Sequence, residues 1–275
     1  MQYFTRLATT CILMALTAGC GSQLQLNSHL PDQEIKIDGI VDDWQDALIY
    51  IEKKNVSVGL ANDEDFLYLC LVSTDRDLQR QIIASGFTLW FDPDGTQKKS
   101  FGIKFPVGLM ESGMLMRPAP GMEPDFEAMR ENLDRALLEI ELILPDQKIK
   151  RIRVADLQGI EVKFGDLAEK LIYEIKVPLA QTEWHPFAIG IAAGRQLGIG
   201  FETTDIDREA MRDRMGRGGF GGGRGGFGGR RGGARPQMPS KFKMWVVVQL
   251  DSENQPASAR LVPDNKLEFS IKPEN

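Results

Sequence analysis

Glu34-Ile35-Lys36-Ile37-Asp38-Gly39-Ile40-Val41-Asp42-Asp43-Trp44-Gln45-Asp46-Ala47 is the stretch on which the fold of this chain turns. Ile35 and Ile37 alternate with charged residues, which predicts a short strand with one buried face. Asp38-Gly39 supplies a tight turn. The acidic pair Asp42-Asp43 then leads to Trp44, whose large ring needs a core to sit in.

Short apolar runs follow at regular spacing. Strands are predicted over 48–52, 56–61, 66–74, 87–91, 101–106, 138–144, 149–154, 160–164, 171–179, 187–192, 196–203 and 241–250. Turn signals separate them, notably Asn62-Asp63-Glu64-Asp65 and Asp92-Pro93-Asp94-Gly95. A short helix or irregular crossover is predicted over 78–84. Many short strands between turns make an all-β, antiparallel β-sandwich. Two insertions interrupt it. One, near 107–137, holds a methionine-rich run and a helix predicted over 124–138, where Phe126, Met129, Leu133 and Leu137 recur at helical spacing. The other, near 205–238, contains Gly216 to Gly233, which is mostly glycine with arginine and two phenylalanines. Such a composition cannot fill a core, so a disordered Gly/Arg-rich loop is expected there.

The opening stretch resembles the start of carbohydrate-binding module family 9 (CBM9-like, DOMON-like) β-sandwiches, which run strand, Ile-Asp-Gly, acidic pair, Trp. Residues 58–72, with a Leu67-Tyr68-Leu69 strand after an Asn-Asp turn, are similar to that family's hairpin. Glu174 in a strand ending Val177-Pro178, and Pro239-Ser240-Lys241-Phe242 before the last strand, resemble two further family patterns. The resemblance implies a sandwich over 34–275 with Trp44 in its core. It also implies a pair of sugar-stacking tryptophans, but the corresponding regions hold Ile82 and Ile83, and Arg235 to Met238 without an aromatic.

Upstream, residues 1–19 read as an export leader. They carry one charge, Arg6, and the apolar run 11–16 is too short for a spanning helix. Leu16-Thr17-Ala18-Gly19-Cys20 resembles a bacterial lipobox. This implies acylation (palmitate among the chains) at Cys20, a membrane partner through that anchor, and an outer-membrane or cell-surface lipoprotein. Residues 20–33 are polar and are expected to be a tether. With Cys11 in the leader and Cys20 acylated, Cys70 remains as a buried thiol with no disulfide partner.

Composition bounds the function. The chain has 275 residues, is 42% hydrophobic and carries a formal charge of −6, which argues against a nucleic-acid partner. Ten Lys and Arg stand against two acids between Arg208 and Lys243. Arg217, Arg224, Arg230, Arg231 and Arg235 form a basic arm suited to anionic envelope material, or simply a solvated linker. The arm resembles Arg-Gly-Gly segments of RNA-binding proteins, but an exported protein does not normally meet RNA.

Sugar binding needs an aromatic platform with polar groups at its rim. Trp184, in the loop Glu183-Trp184-His185-Pro186, is the best candidate for an exposed one; His185 and Trp90 complete the candidate ligand set. Trp90 and Trp245 lie in strands, which favours burial. No cofactor is expected. Asp92-Pro93-Asp94-Gly95 begins like a calcium loop but lacks the later acid, so a structural calcium is the lesser reading. Met110, Met114, Met116 and Met122 read as packing rather than copper ligands. No haem motif is present, although related sandwiches carry haem. No nucleophile elbow, phosphate loop or zinc motif is present, and His185 is the one histidine beyond the expected tether, so the protein is not expected to be an enzyme. The expected role is non-catalytic binding at the cell envelope, of a glycan or of a partner protein. The alternatives are a protein-assembly module, or an accessory subunit of an exported redox or hydrolytic enzyme.

Overall fold

The computed structural model describes residues 23–44, 47–109, 131–132, 134–165, 170–204 and 241–252. They build an all-β sandwich. The strands are β1 (Leu24–Asn27), β2 (Leu48–Ile51), β3 (Val56–Asn62), β4 (Phe66–Ser73), β5 (Phe87–Asp92), β6 (Phe101–Lys104), β7 (Glu139–Ile143), β8 (Ile149–Arg153), β9 (Glu161–Phe164), β10 (Leu171–Pro178), β11 (Gln196–Thr203) and β12 (Lys243–Gln249), with helix α1 (Arg76–Ser85) between β4 and β5. One sheet has seven strands in the order β1-β12-β11-β5-β6-β7-β8, and the other has five in the order β2-β3-β4-β10-β9. All pairings are antiparallel except β1 with β12.

Alternation explains the core. Leu67, Leu69 and Leu71 on β4, Leu171, Tyr173, Ile175 and Val177 on β10, and Leu197, Ile199 and Phe201 on β11 are fully buried between the sheets. Their neighbours in sequence face outward.

The opening stretch packs outside this core. Ile35, Trp44, Ala61, Tyr68, Cys70 and Ile172 form a second apolar cluster on the outer face of the five-stranded sheet. Trp44 is 0% exposed. Its ring lies over Gly59, where an added Cβ would come within 2.5 Å of it. Its indole N–H donates to Glu174 Oε1 at 2.7 Å, and the backbone N–H groups of Gly39 and Asp38 donate to Glu174 Oε2 at 2.6 and 3.1 Å. Glu174 is the post to which the Asp-Gly turn and the tryptophan are both tied.

Several expectations are corrected. Residues 35–37 form no strand; the turn and Trp44 are held by Glu174 instead of by a ladder. The expected tether 20–33 is sandwich in its described part. β1 pairs with β12 from Leu24↔Val246 to Asn27↔Gln249, and His29 bridges to Ala61. Leu26 supplies the buried apolar anchor that a tether would lack. Residues 187–192 are not a strand. They turn back on β10, with Ile189 N–H donating to Pro178 and the Gly190 and Ile191 N–H groups both donating to Leu179.

The crossover is a helix longer than expected. The Asp75 carboxylate caps it, accepting from the N–H groups of Asp77 and Leu78. Residues 131, 132 and 134–136 are helical, in line with the end of the predicted 124–138 helix. The methionine-rich run 110–122, the leader, Cys20 and the whole arginine arm lie outside the described residues.

Candidate functional site at one end of the sandwich

Strand direction places five connections at one end. They are the β3–β4 turn, the loop from Asp92 to Phe101, the β7–β8 turn, the long β10–β11 connection and the exit of β12. Leu179 N–H donates to Asp65 O at 2.7 Å, and Asn62 Nδ2 donates to Asp251 O at 3.1 Å, tying loops of the two sheets together.

The β10–β11 connection carries Trp184. Thr182 N–H donates to His185 O at 3.1 Å, and His185 N–H returns a bond to Thr182 Oγ1 at 3.0 Å. This closes a four-residue turn with Glu183 and Trp184 at its tip. Gln181 Nε2 donates to Pro186 O at 2.9 Å across the base. The His185 ring stands edge-on to Phe66 with centroids 5.1 Å apart. Phe66 in turn is capped by Lys176 Nζ at 4.4 Å, which is ion-paired with Glu161 at 2.9 Å. Trp184 is 80% exposed at the tip of this braced turn. A large aromatic held in water on a pinned backbone loses little freedom on contact with a ligand.

The same connection ends in one wall of a cleft of about 400 Å³ lined by Pro93, Asp94, Gly194, Arg195, Gln196 and Gln249. Gly194 N–H donates to Asp251 O at 3.1 Å, Leu250 N–H donates to Arg195 O at 3.0 Å, and Gln249 Nε2 donates to Gly194 O at 2.9 Å. The facing wall is fixed by Asp92, whose buried carboxylate accepts from the N–H groups of Asp94, Thr96 and Lys98 and from Thr96 Oγ1, at 2.7 to 3.2 Å. Burial alone would raise this carboxyl, but the four donors outweigh it and hold Asp92 below the ordinary carboxylate range. Those bonds occupy both oxygens, so Asp92 closes its own turn. Among the described residues no three His, Cys, Asp or Glu side chains are grouped to hold a metal. The cleft offers carboxylate, guanidinium and amide groups, the donors and acceptors that pair with hydroxyls.

Of the expected ligand residues, Trp184 stands free, while His185 braces the turn through Phe66. Trp90 is corrected. It is 8% exposed on the outer face of the seven-stranded sheet, its ring packs over Gly102 and beneath Lys99 Nζ at 5.1 Å, and its indole N–H donates to Glu202 at 3.0 Å. No face is left for a sugar. Trp245 is half-buried over Gly200. Sequence reasoning missed the cleft. Asp94-Gly95 and Gly194-Arg195 read as turns, but nothing local says that these turns meet.

No protein-family profile matches the chain, and no curated protein matches it in sequence. Among solved structures it is similar to a carbohydrate-binding module family 9 protein of Caldicellulosiruptor kristjanssonii. The form in complex with cellotriose has a TM-score of 0.37 at 11% identity, covering 89% of this chain and 100% of that one. The form in complex with glucose has a TM-score of 0.31 at 11% identity, covering 69% and 81%.

Proposed function

We propose that this is a non-catalytic binding protein of the cell envelope that takes a glycan at the Trp184 end of the sandwich. Trp184 stacks on a sugar ring, and the neighbouring cleft supplies hydroxyl partners through Asp94, Arg195 and Gln196. The carrying observation is the contrast among the tryptophans. Trp44 and Trp90 are buried and Trp245 is half-buried, each over a glycine, whereas Trp184 is 80% exposed on a turn closed by two reciprocal bonds.

Acylation at Cys20 belongs to the same reading. β1 begins at Leu24 and runs parallel to β12 toward the Trp184 end, so the chain before it leaves toward the opposite end. Four residues from Cys20 to Leu24 reach at most about 14 Å. The anchored sandwich would therefore sit close to the bilayer with Trp184 facing away. The arginine arm, entering after β11 and leaving before β12, departs from the bilayer-facing end, where anionic headgroups are its natural partners.

The experiment is a glycan array probed with the full mature chain carrying Cys20→Ser, and then with Trp184→Ala in that background. Loss of a stacking platform should weaken binding by about 1–3 kcal/mol, by analogy with other aromatic platforms. Undiminished binding by Trp184→Ala removes the residue from the site. In cells, Cys20→Ser should move the protein from the detergent phase to the aqueous phase; partitioning that does not change refutes the anchor.

A further inference from the structure

The two ends of the sandwich differ in charge. At the Trp184 end the β3–β4 turn holds Asp63, Glu64 and Asp65, and Asp94, Asp146 and Glu183 stand on the neighbouring loops. At the opposite end one corner is basic. The helical turn after β2 (Glu52–Lys54) carries Lys53 and Lys54, α1 begins with Arg76, Lys170 precedes β10, and Lys243 begins β12. Contacts within the fold bring these positions together. Ser73 Oγ donates to Asn55 O at 3.2 Å, joining the entry of α1 to the turn before β3. Lys54 Nζ lies 5.7 Å from the ring centre of Phe242, whose N–H donates to Gln81 Oε1 on α1 at 3.2 Å. Leu171 pairs with Ser73, which sets Lys170 beside the end of β4. The acids of this corner are mostly engaged within it. Asp75 caps α1, Asp77 pairs with Arg80 at 3.1 Å, and Glu202 is held by Lys241 and Lys99, which leaves Glu52. Lys53, Lys54, Arg76 and Lys243 are exposed, and none of them is ion-paired among the described residues.

We propose that this corner docks on an anionic lipid surface, with Lys53, Lys54, Arg76 and Lys243 against the headgroup phosphates. Charge complementarity supports it, and so does the path of the chain. Leu24 pairs with Val246, three residues from Lys243, so the chain before β1 enters at this same corner. The choice of a bilayer as the anionic surface rests on the anchored reading given above; the basic corner does not. Each Lys or Arg held near an anionic leaflet strengthens binding about fivefold. Cations already gathered on one folded corner act together without the ordering cost that a flexible segment bears. The acidic end is repelled by the same surface and faces away from it, which leaves Trp184 toward the solution.

Sedimentation of the full mature chain carrying Cys20→Ser with vesicles of phosphatidylcholine and phosphatidylglycerol tests this. Lys53→Ala, Lys54→Ala and Arg76→Ala together should weaken binding at least about tenfold, and added salt should weaken binding of the parent chain. All three side chains are exposed, so the triple variant should keep the parent melting curve. Lys53→Glu alone should weaken binding in the same direction. Lys98→Ala with Lys148→Ala, at the Trp184 end, should leave it unchanged. A dye on Thr74→Cys, beside Arg76, should be quenched by brominated lipid, and a dye on Glu64→Cys should not. Undiminished binding by the triple variant, equal binding to pure phosphatidylcholine, or an equal loss in the Lys98 and Lys148 pair overturns the proposal. Retention on an anionic polysaccharide without vesicle binding would assign the corner to a glycan and would also overturn it. The chain tested carries no acyl group, so these outcomes do not depend on the anchor, which detergent-phase partitioning of the wild type tests separately.

Discussion

Trp44 with Glu174 and Trp90 with Glu202 are the same device on opposite outer faces. In each, an indole lies over a glycine of the adjoining strand, Gly59 or Gly102, and donates its N–H to a glutamate. The surroundings differ. Glu174 is fully buried and receives neutral donors, the Trp44 indole and two backbone N–H groups of the Asp-Gly turn. Burial pushes its carboxyl above the ordinary range, with Asp38 adding to the effect, and the hydrogen bonds do not bring it back. Glu202 is 7% exposed and also lies where burial would raise it, but Lys241 at 2.6 Å and Lys99 at 2.5 Å outweigh burial and hold it below that range. One carboxylate is tuned by desolvation and the other by cations. The first organises a chain turn; the second gathers a charged surface network.

The largest test of this pair is removal of the rings. Trp44→Ala should cost about 3–5 kcal/mol, as truncations of large buried aromatics do, measured by the denaturant midpoint. A midpoint equal to that of the wild type would mean that the opening stretch does not close the five-stranded sheet. Trp90→Ala should cost less, because Lys99 is 43% exposed and can reach water when the ring is gone.

Removing the carboxylates separates the two sites further. Glu174→Gln replaces an acceptor that serves three donors with an amide that points N–H groups at some of them. Leaving buried donors unpaired costs about 1–3 kcal/mol. The pH dependence should differ in sign. Glu174, with its folded pKa raised, contributes stability that is present below its unfolded pKa and lost as pH rises toward the folded one. Glu202, with its folded pKa lowered, contributes stability present above its unfolded pKa and lost as pH falls through the folded one. Stability profiles of Glu174→Gln and Glu202→Gln, each subtracted from wild type, should therefore slope in opposite directions. Parallel slopes would refute the assignment of burial to one site and of cations to the other.

These devices also show what could be read from the sequence. The central strands after the opening were legible because alternation survives in them: Leu67, Leu69 and Leu71 face in while Tyr68, Cys70 and Val72 face out. Trp44 was legible because the Asp38-Gly39 turn and the acidic pair before it match the family opening whose tryptophan packs in the core. The partners were not, since Glu174 is 130 residues from Trp44 and Glu202 is 112 from Trp90. Such distances leave no local trace. The same limit hid the cleft, whose walls come from the loops after β5 and before β11. It also turned 187–192 into an expected strand, because hydrogen bonds to the end of β10 can hold an apolar run without a ladder. The polar composition of 20–33 hid Leu24 and Leu26, which alternate over too few residues to stand out.

Trp184 is the remaining term of the comparison, and the stability effect expected there is the smallest. Its turn is closed by backbone and side-chain bonds of Thr182 and His185, and its base by Gln181, none of which uses the indole. His185, packed on Phe66, fixes the turn to β4. Trp184→Ala should therefore change stability by no more than about 0.5 kcal/mol, the range of ordinary surface substitutions. His185→Ala should cost more, through the lost ring contact, although His185 is not the platform. If Trp184→Ala leaves the melting curve in place and weakens glycan binding, the exposed ring acts on the ligand and not on the fold. A Trp184→Ala variant that loses stability as Trp44→Ala does would mean the ring packs against this protein in solution, and the platform reading would fail with it.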